Sequence, residues 1–286
     1  MNEATKSGEV SSMTASAQRS SSMNAIDSIR FHWPEYLMEA GELALYMFLT
    51  CTFATLVQHP ASPVRHLISS AIFRRTLMGL AIGATVVAIV LTPWGKQSGG
   101  HFKPAMTITF YWLRKVSLWD AAFYVAAQFS GATIGVAIAA YVLRGALEND
   151  AIRSAVTVPG VYGNTGAILG ELTISFVLMI TILVVSNHGT LARHTPYFVG
   201  GLYAIYITFE TPLSGMSMNP ARSFGPAFHA SYWHSIWIYF VGPTLGMLTA
   251  GEVFLRARGA VPYCAKLHHA HGKRCIFHHG HGTAQA

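Results

Sequence analysis

The sequence predicts an all-α membrane protein of six transmembrane helices plus two re-entrant half-helices, arranged as an inverted repeat. Three observations lead there. The 286 residues are 52% hydrophobic and only 11% charged, under half the ~25% charged share of ordinary soluble domains. Six apolar stretches come within a few residues at each end of the length a bilayer crossing needs. One short motif recurs, with three of those stretches between its copies.

A membrane helix needs about 20 predominantly apolar residues. The six stretches lie near 36–57, 76–94, 118–143, 166–187, 196–210 and 232–256. Two further apolar segments, 104–113 and 220–229, are too short to span; each opens on a proline and follows a Gly/Ser-rich stretch. That is the pattern of a loop that enters the membrane and returns as a half-helix. Unpaired loop backbone cannot face lipid, so both segments must be enclosed by the long helices or line an aqueous cavity.

The two segments superimpose. Ser98-Gly99-Gly100-His101-Phe102-Lys103-Pro104-Ala105 matches Ser214-Gly215-Met216-Ser217-Met218-Asn219-Pro220-Ala221 at a constant offset of 116, with Ser, Gly, Pro and Ala identical. Three spans separate the copies, an odd number, so the half-helices enter from opposite faces. A solute site then falls near the bilayer midplane, where they meet.

Formal net charge is +7. The basic residues cluster between apolar runs and at the two ends, which fits membrane topology rather than a nucleic-acid groove. Lys96, Arg114, Lys115, Arg193 and the group Arg256, Arg258, Lys266, Lys273 and Arg274 outnumber Arg65, Arg74, Arg75, Arg144 and Arg153 on the other side. The excess puts both termini in the cytoplasm, in a plasma or inner membrane. Residues 1–33 read as a mostly disordered arm without the apolar core of a leader peptide, 34–258 as the membrane domain, and 259–286 as a cytoplasmic His/Cys-rich tail.

At the centre, each half-helix aims unpaired N–H groups and the positive end of its dipole, about half a unit charge, at the midplane. Two such ends raise the energy of any cation between them. Asn219 suits the meeting point: its side-chain oxygen can cap the helix while its NH₂ donates into the pore. Pro220 suits the first helical position, where its missing N–H would have had no partner.

These residues resemble the aquaporin, or major intrinsic protein, family over about 36–256. The resemblance is carried by Gly95-Lys96-Gln97-Ser98-Gly99-Gly100-His101-Phe102, Pro104-Ala105-Met106-Thr107, Ala127-Gln128 and Gly215-Met216-Ser217-Met218-Asn219-Pro220-Ala221-Arg222-Ser223-Phe224-Gly225. It implies a homotetramer with one pore per subunit. Buried charges in membrane helices are costly without partners. The resemblance implies that Glu39 and Glu171, in the first and fourth spans, accept hydrogen bonds from the loop N–H groups and hold the loop carbonyls towards the pore. Glu42 competes with Glu39 for the first role.

The resemblance also implies a narrow filter. Arg222 would donate to permeants and repel cations there, with Ile207 and Met216 at two other positions. The second-span position falls at Ile82 or, counting without a gap, at Gly83; Ile82 is preferred because a family-like Gly-x-Thr then lies at Gly83 to Thr85. Such a filter is apolar apart from Arg222, and Met216 is flexible enough to occlude it. Ser223, Ala227, Tyr239 and Phe240 resemble the water-type pattern more than the glycerol type.

Lys103 departs from the family's Asn in the first motif. An ammonium has three donors and no acceptor, so it cannot cap the helix beginning at Pro104. Beside two positive dipole ends, the neutral amine is favoured. Lys103 then either plugs the pore, tilts aside towards carbonyls or the Asn219 oxygen, or is a substitution peculiar to this chain. Displacement towards the cytoplasmic vestibule with reduced conductance is the preferred expectation.

The expected function is passive transport of water and small neutral solutes across a membrane. The alternatives are a glycerol or small-solute facilitator, and a poorly conducting tetrameric scaffold with a metal-binding tail. No nucleophile, phosphate loop or dinucleotide fingerprint argues for an enzyme, and neither a cofactor nor a nucleic-acid partner is expected. The tail collects Cys264, His268, His269, His271, Cys275, His278, His279 and His281. Their spacing matches no standard zinc module; the candidate ligands are Cys264, His268, His269 and Cys275.

Overall fold

A computed structural model of the chain describes residues 24–259, 262, 264–269 and 272–277. Among them there are helices and no strands. The long helices are α1 (Ala25–Gln58), α3 (Ala71–Leu91), α6 (Leu118–Leu143), α7 (Gly163–Ser186), α8 (Thr195–Phe209) and α11 (Trp237–Arg258). Shorter ones are α2 (Pro63–Leu67), α4 (Pro93–Ser98), α5 (Pro104–Trp112), α9 (Thr211–Ser214) and α10 (Pro220–Ala230). Helices α5 and α10 are the half-helices, within a residue of the expected segments.

Five of the six long helices are long and apolar enough to cross a membrane. The exception is α8: its 15 residues rise about 22 Å, short of a ~30 Å hydrocarbon core. A 3₁₀ turn at Ala192–His194 precedes it and α9 follows one residue on, so the crossing is completed by broken helix at both ends. Pro196 and Pro212 set those breaks, each in the first turn of its helix.

Boundaries differ elsewhere for local reasons. The second span stops at Leu91 rather than 94, because Thr92 caps a new helix at Pro93 by accepting from the Gly95 N–H at 3.0 Å. The last span begins at Trp237 rather than 232, after left-handed Ser231 and Ser235 interrupt the chain.

Residues 25–33, expected to belong to a disordered arm, are helical. Asn24 caps α1 by accepting from the Asp27 N–H at 2.9 Å. Asp120 accepts from Tyr36 Oη (2.6 Å) and pairs with His32 Nδ1 (2.7 Å), tying this polar extension to α6. No apolar run marks these nine residues in sequence, because polar contacts rather than apolar burial hold them. Residues 1–23 lie outside the described residues.

The helices pair as the repeat requires: α1 with α6, α7 with α11, and α3 with α8. Glycines let the partners touch. A Cβ on Gly131 would stand 2.2 Å from the Ala40 carbonyl oxygen, and one on Gly246, its counterpart in the second half, 2.3 Å from that of Leu172. Large apolar side chains such as Leu37, Leu80, Tyr141 and Phe209 remain exposed on the outer faces, as a lipid-facing surface allows.

Candidate pore centre and tail cluster

The two re-entrant loops adopt the same backbone. Positive φ occurs at Gly99 and Gly215, at Gly100 and Met216, and at Phe102 and Met218, each pair 116 apart. For Met216, Met218 and Phe102 the left-handed conformation costs roughly 1–2 kcal/mol each, so something must hold them.

Two buried carboxylates do. Glu171 accepts from the N–H groups of Ser217 and Met218, both at 2.7 Å, and from Ser214 Oγ at 2.7 Å. Glu39 accepts from the N–H groups of His101 (3.3 Å) and Phe102 (2.5 Å) and from Gln128 Nε2 (2.8 Å). Glu42 instead receives the Ser98 hydroxyl at 2.9 Å. Ser98 and Ser214 each accept the N–H two residues on, at 3.1 Å, and their carbonyls accept from Tyr124 and Tyr239.

The half-helix N-termini meet but are not equivalent. Asn219 Oδ1 accepts from the N–H groups of Ala221 (3.0 Å) and Arg222 (3.3 Å), while Lys103 gives α5 no side-chain cap. The Asn219 NH₂ does not simply face the lumen: Nδ2 donates across the centre to the Phe102 carbonyl at 2.7 Å.

Lys103 also departs from expectation in its partner. Its ammonium turns neither to a carbonyl nor to the Asn219 oxygen. It donates to the Tyr203 hydroxyl and lies 4.7 Å from the centroid of the same ring. The Asn219 oxygen is already committed to the α10 cap, which explains the choice. Tyr46 packs edge-on against Tyr203 at 6.3 Å and 77°. Neither tyrosine stood out in the sequence, although Tyr203 sits one turn before Ile207 on the same helix face, a spacing that makes it legible.

Of the expected filter residues, Ile82, Ile207 and Met216 are buried and Arg222 is partly so, its Nη1 donating to the Ala155 carbonyl at 3.0 Å. Gly83 lies in the α3–α8 crossing, where a Cβ would stand 2.4 Å from the Gly200 carbonyl oxygen.

The described tail residues, 264–269 and 272–277, pack back onto the first loop. Leu267 N–H donates to the Gly99 carbonyl (3.0 Å), Lys266 Nζ to the carbonyls of Lys96 (3.0 Å) and Arg274 (2.8 Å), and His101 Nε2 pairs with the Ala265 carbonyl (2.7 Å). Phe277 stacks on His101 at 5.1 Å and 14°. Arg274 donates to the Phe31 carbonyl at 2.6 Å and stands 3.8 Å from the Glu35 carboxylate.

Three of the four proposed tail ligands come together. Ligand atoms of Cys264, His269 and Cys275 lie within 4.8 Å of one another, with the sulfurs 3.7 Å apart. His268 is not among them; its ring turns to the backbone of Arg193. His271, His278, His279 and His281 lie outside the described residues. Hydrogen bonding from Cys264 holds the Cys275 thiol below the usual range, and the same contact raises that of Cys264.

Six long helices, two half-helices meeting end to end and a loop frame repeated at an offset of 116 define a polytopic membrane protein built on an inverted repeat. A family model described as "Major intrinsic protein" matches residues 26–254. The chain belongs to that family, the aquaporins. It is 36% identical to Aquaporin-4 of Homo sapiens over 183 residues, covering 62% of this chain and 55% of that one. It is 31% identical to Aquaporin NIP2-3 of Zea mays over 215 residues, 75% of this chain and 66% of that one. The match thus spans little more than half the length of the first of these relatives. Among solved structures, the aquaglyceroporin from Plasmodium falciparum superposes with a TM-score of 0.66 at 21% identity, over 77% of this chain and 94% of that one, a likeness of fold.

Proposed function

We propose that the protein is a membrane channel for passive flow of water and small neutral solutes, with Lys103, Pro104, Ala105, Asn219, Pro220 and Ala221 at the centre of its pore. The observation that carries this is the meeting of two half-helix N-termini at Phe102 and Asn219, each held by its own buried carboxylate. Two positive dipole ends oppose cations, while neutral donors and acceptors suit water. Glu39 and Glu171 serve as loop supports rather than as general acids or bases, because their oxygens are taken by backbone N–H groups.

Ile82, Ile207, Met216 and Arg222 form the filter; Gly83 is consumed by a helix crossing and offers the pore no side chain. Three apolar groups beside one Arg give a constriction with few fixed donors, which suits small uncharged permeants and leaves glycerol as a competing solute. The protein assembles as a homotetramer in the bilayer with both termini cytoplasmic, following the basic-residue excess and the family it belongs to.

One observation favours a second reading, a weakly conducting assembly: Lys103 is pinned inside the centre by Tyr203. Stopped-flow light scattering on proteoliposomes under water, glycerol and urea gradients tests both. Permeability above that of empty liposomes supports the channel and ranks its solutes. Equality with empty liposomes for every solute, in the unsubstituted protein and in Lys103→Asn alike, sinks the channel in favour of the scaffold.

A further inference from the structure

The C-terminal strap supplies a site that the pore itself does not explain. Residues 264–269 and 272–277 pack onto the loop that carries Lys103, with Ala265, Lys266, Leu267 and Phe277 all buried. The Leu267 N–H occupies the Gly99 carbonyl, so that oxygen faces the strap rather than a permeant. Lys266 bridges the Lys96 and Arg274 carbonyls, and Phe277 covers the His101 ring. The described strap residues lie in no helix or strand and lose much conformational entropy on ordering like this, so a crosslink within the strap would matter.

We propose that Cys264, His269 and Cys275 bind one zinc-class divalent ion, and that this ion fastens the strap over the first re-entrant loop and closes that mouth of the pore. Geometry argues for it. Two thiolates each ~2.3 Å from a tetrahedral zinc stand about 3.8 Å apart, and here the free sulfurs are 3.7 Å apart with the imidazole within 4.8 Å. The donor set, two soft thiolates and an imidazole, selects zinc over calcium or magnesium. Two thiolates also neutralise the ion, which matters next to Lys266 and Arg193.

The fourth coordination position suits exchange. A cavity of about 230 Å³, lined among others by Gly189, Ala192, Arg193, Cys264, Lys266 and His269, adjoins the cluster. Structural zinc sites are closed by four protein ligands, whereas a site with three keeps an open position for water or an anion. The ion ties residue 264 to residue 275 around Ala265, Lys266 and Leu267, which all bond the loop, with Phe277 just beyond. Removing it loosens these contacts.

The closure half of this proposal rests on the channel reading; the binding half does not. The test uses the full-length protein, purified reduced and metal-stripped, and Zn²⁺ alone as the probe. Titration against a chromogenic chelator should give one ion per chain with a Kd below ~10 µM. Cys264→Ser/Cys275→Ser, which keeps every histidine, should bind about 100-fold more weakly. Zinc should slow tryptic cleavage after the buried Lys266 several-fold and leave cleavage after the exposed Arg144, outside the strap, unchanged. Zinc should also lower the water permeability of proteoliposomes about threefold, and leave that of the double variant unaltered.

Equal zinc binding by the two proteins means adventitious histidine binding and overturns the site, as does a Cys264–Cys275 disulfide that persists in reductant. Zinc bound at one per chain without trypsin protection overturns the fastening. Flux that bound zinc leaves unchanged overturns the gate alone. Absence of flux from every form, Lys103→Asn included, overturns the channel reading and the gate with it, while the binding count still decides the metal site.

Discussion

The Lys103 ammonium donates to the Tyr203 hydroxyl and lies 4.7 Å from the centroid of the same ring. The contact is made at the hydroxyl edge of the ring, so Tyr203 offers the Lys103 nitrogen a lone pair rather than a π-face. A buried amine beside two positive helix ends has few other favourable contacts. The pairing fixes a long side chain across the middle of the repeat.

Lys103→Asn should restore the missing cap of α5, worth about 1 kcal/mol, and raise osmotic water permeability several-fold. Tyr203→Phe should destabilise the unsubstituted protein by about 0.5–1.5 kcal/mol, the net range for a hydrogen bond between neutral groups. In the Lys103→Asn background the same change should cost much less. Thermal unfolding of the four proteins in detergent gives the coupling; additive effects would show that the contact carries no energy.

Glu171→Gln should be far more damaging than Glu42→Gln. The carboxylate serves two consecutive N–H groups and a serine hydroxyl. A carboxamide keeps one acceptor oxygen and turns its NH₂ donors on groups that are themselves donors. One buried N–H left without a partner costs about 1–3 kcal/mol, and the left-handed Met216 and Met218 lose their restraint. Expected results are a clear fall in Tm and in folded yield for Glu171→Gln, and a smaller fall for Glu42→Gln.

Gly246→Val should abolish folded protein. Its Cβ would overlap the Leu172 carbonyl oxygen at 2.3 Å, and that oxygen is backbone within α7, so relief requires α11 to move away. Gly41→Ala, where nothing stands within 4 Å of an added Cβ, should be tolerated. Size-exclusion profiles of the two variants compare them directly.

Arg222→Ala should remove the one charged group of the filter and its bond to the Ala155 carbonyl. Glycerol permeability should rise relative to water, and cation exclusion should weaken. Stopped-flow flux and a fluorescent pH or potassium readout on the same vesicles measure both. An unchanged glycerol-to-water ratio would place Arg222 outside the constriction.

Much of this architecture was legible in the residues. Periodic apolar length gave the spans, Gly and Pro gave the half-helices, and the 116-residue offset gave the symmetry down to positions whose φ is positive. A carboxylate in an apolar helix demands partners, but the loop-supporting role of Glu39 and Glu171, and the choice of Glu39 over Glu42, were legible only through the family resemblance. Less was visible where a group had a choice of partner. The ammonium of Lys103 had several acceptors within reach of its four-carbon stem; that Tyr203 is the one depends on how α8 rotates against α3.

The first helix and the tail make the same point from opposite ends. Residues 25–33 carry no apolar run; the Asn24 cap, Asp120 reached through His32 and Tyr36, and Arg274 on the Phe31 carbonyl hold them in α1. The tail's thiols and imidazoles were readable as soft ligands, yet their spacing matched no module, and four candidates remained. Chain folding selected three and turned His268 to Arg193.

Local chemistry along the chain therefore determined what each segment could be: an apolar span, a proline-started half-helix, a cap, a soft ligand. Hydrophobic length, backbone restriction and donor count are properties of neighbouring residues and need no fold to act. Only the tertiary structure decided which group answers which, namely Tyr203 for Lys103, Phe102 for Asn219, and Gly99 for the strap. A hydrogen bond depends on distance and direction, and helix packing sets both between residues 100 or more apart in the chain.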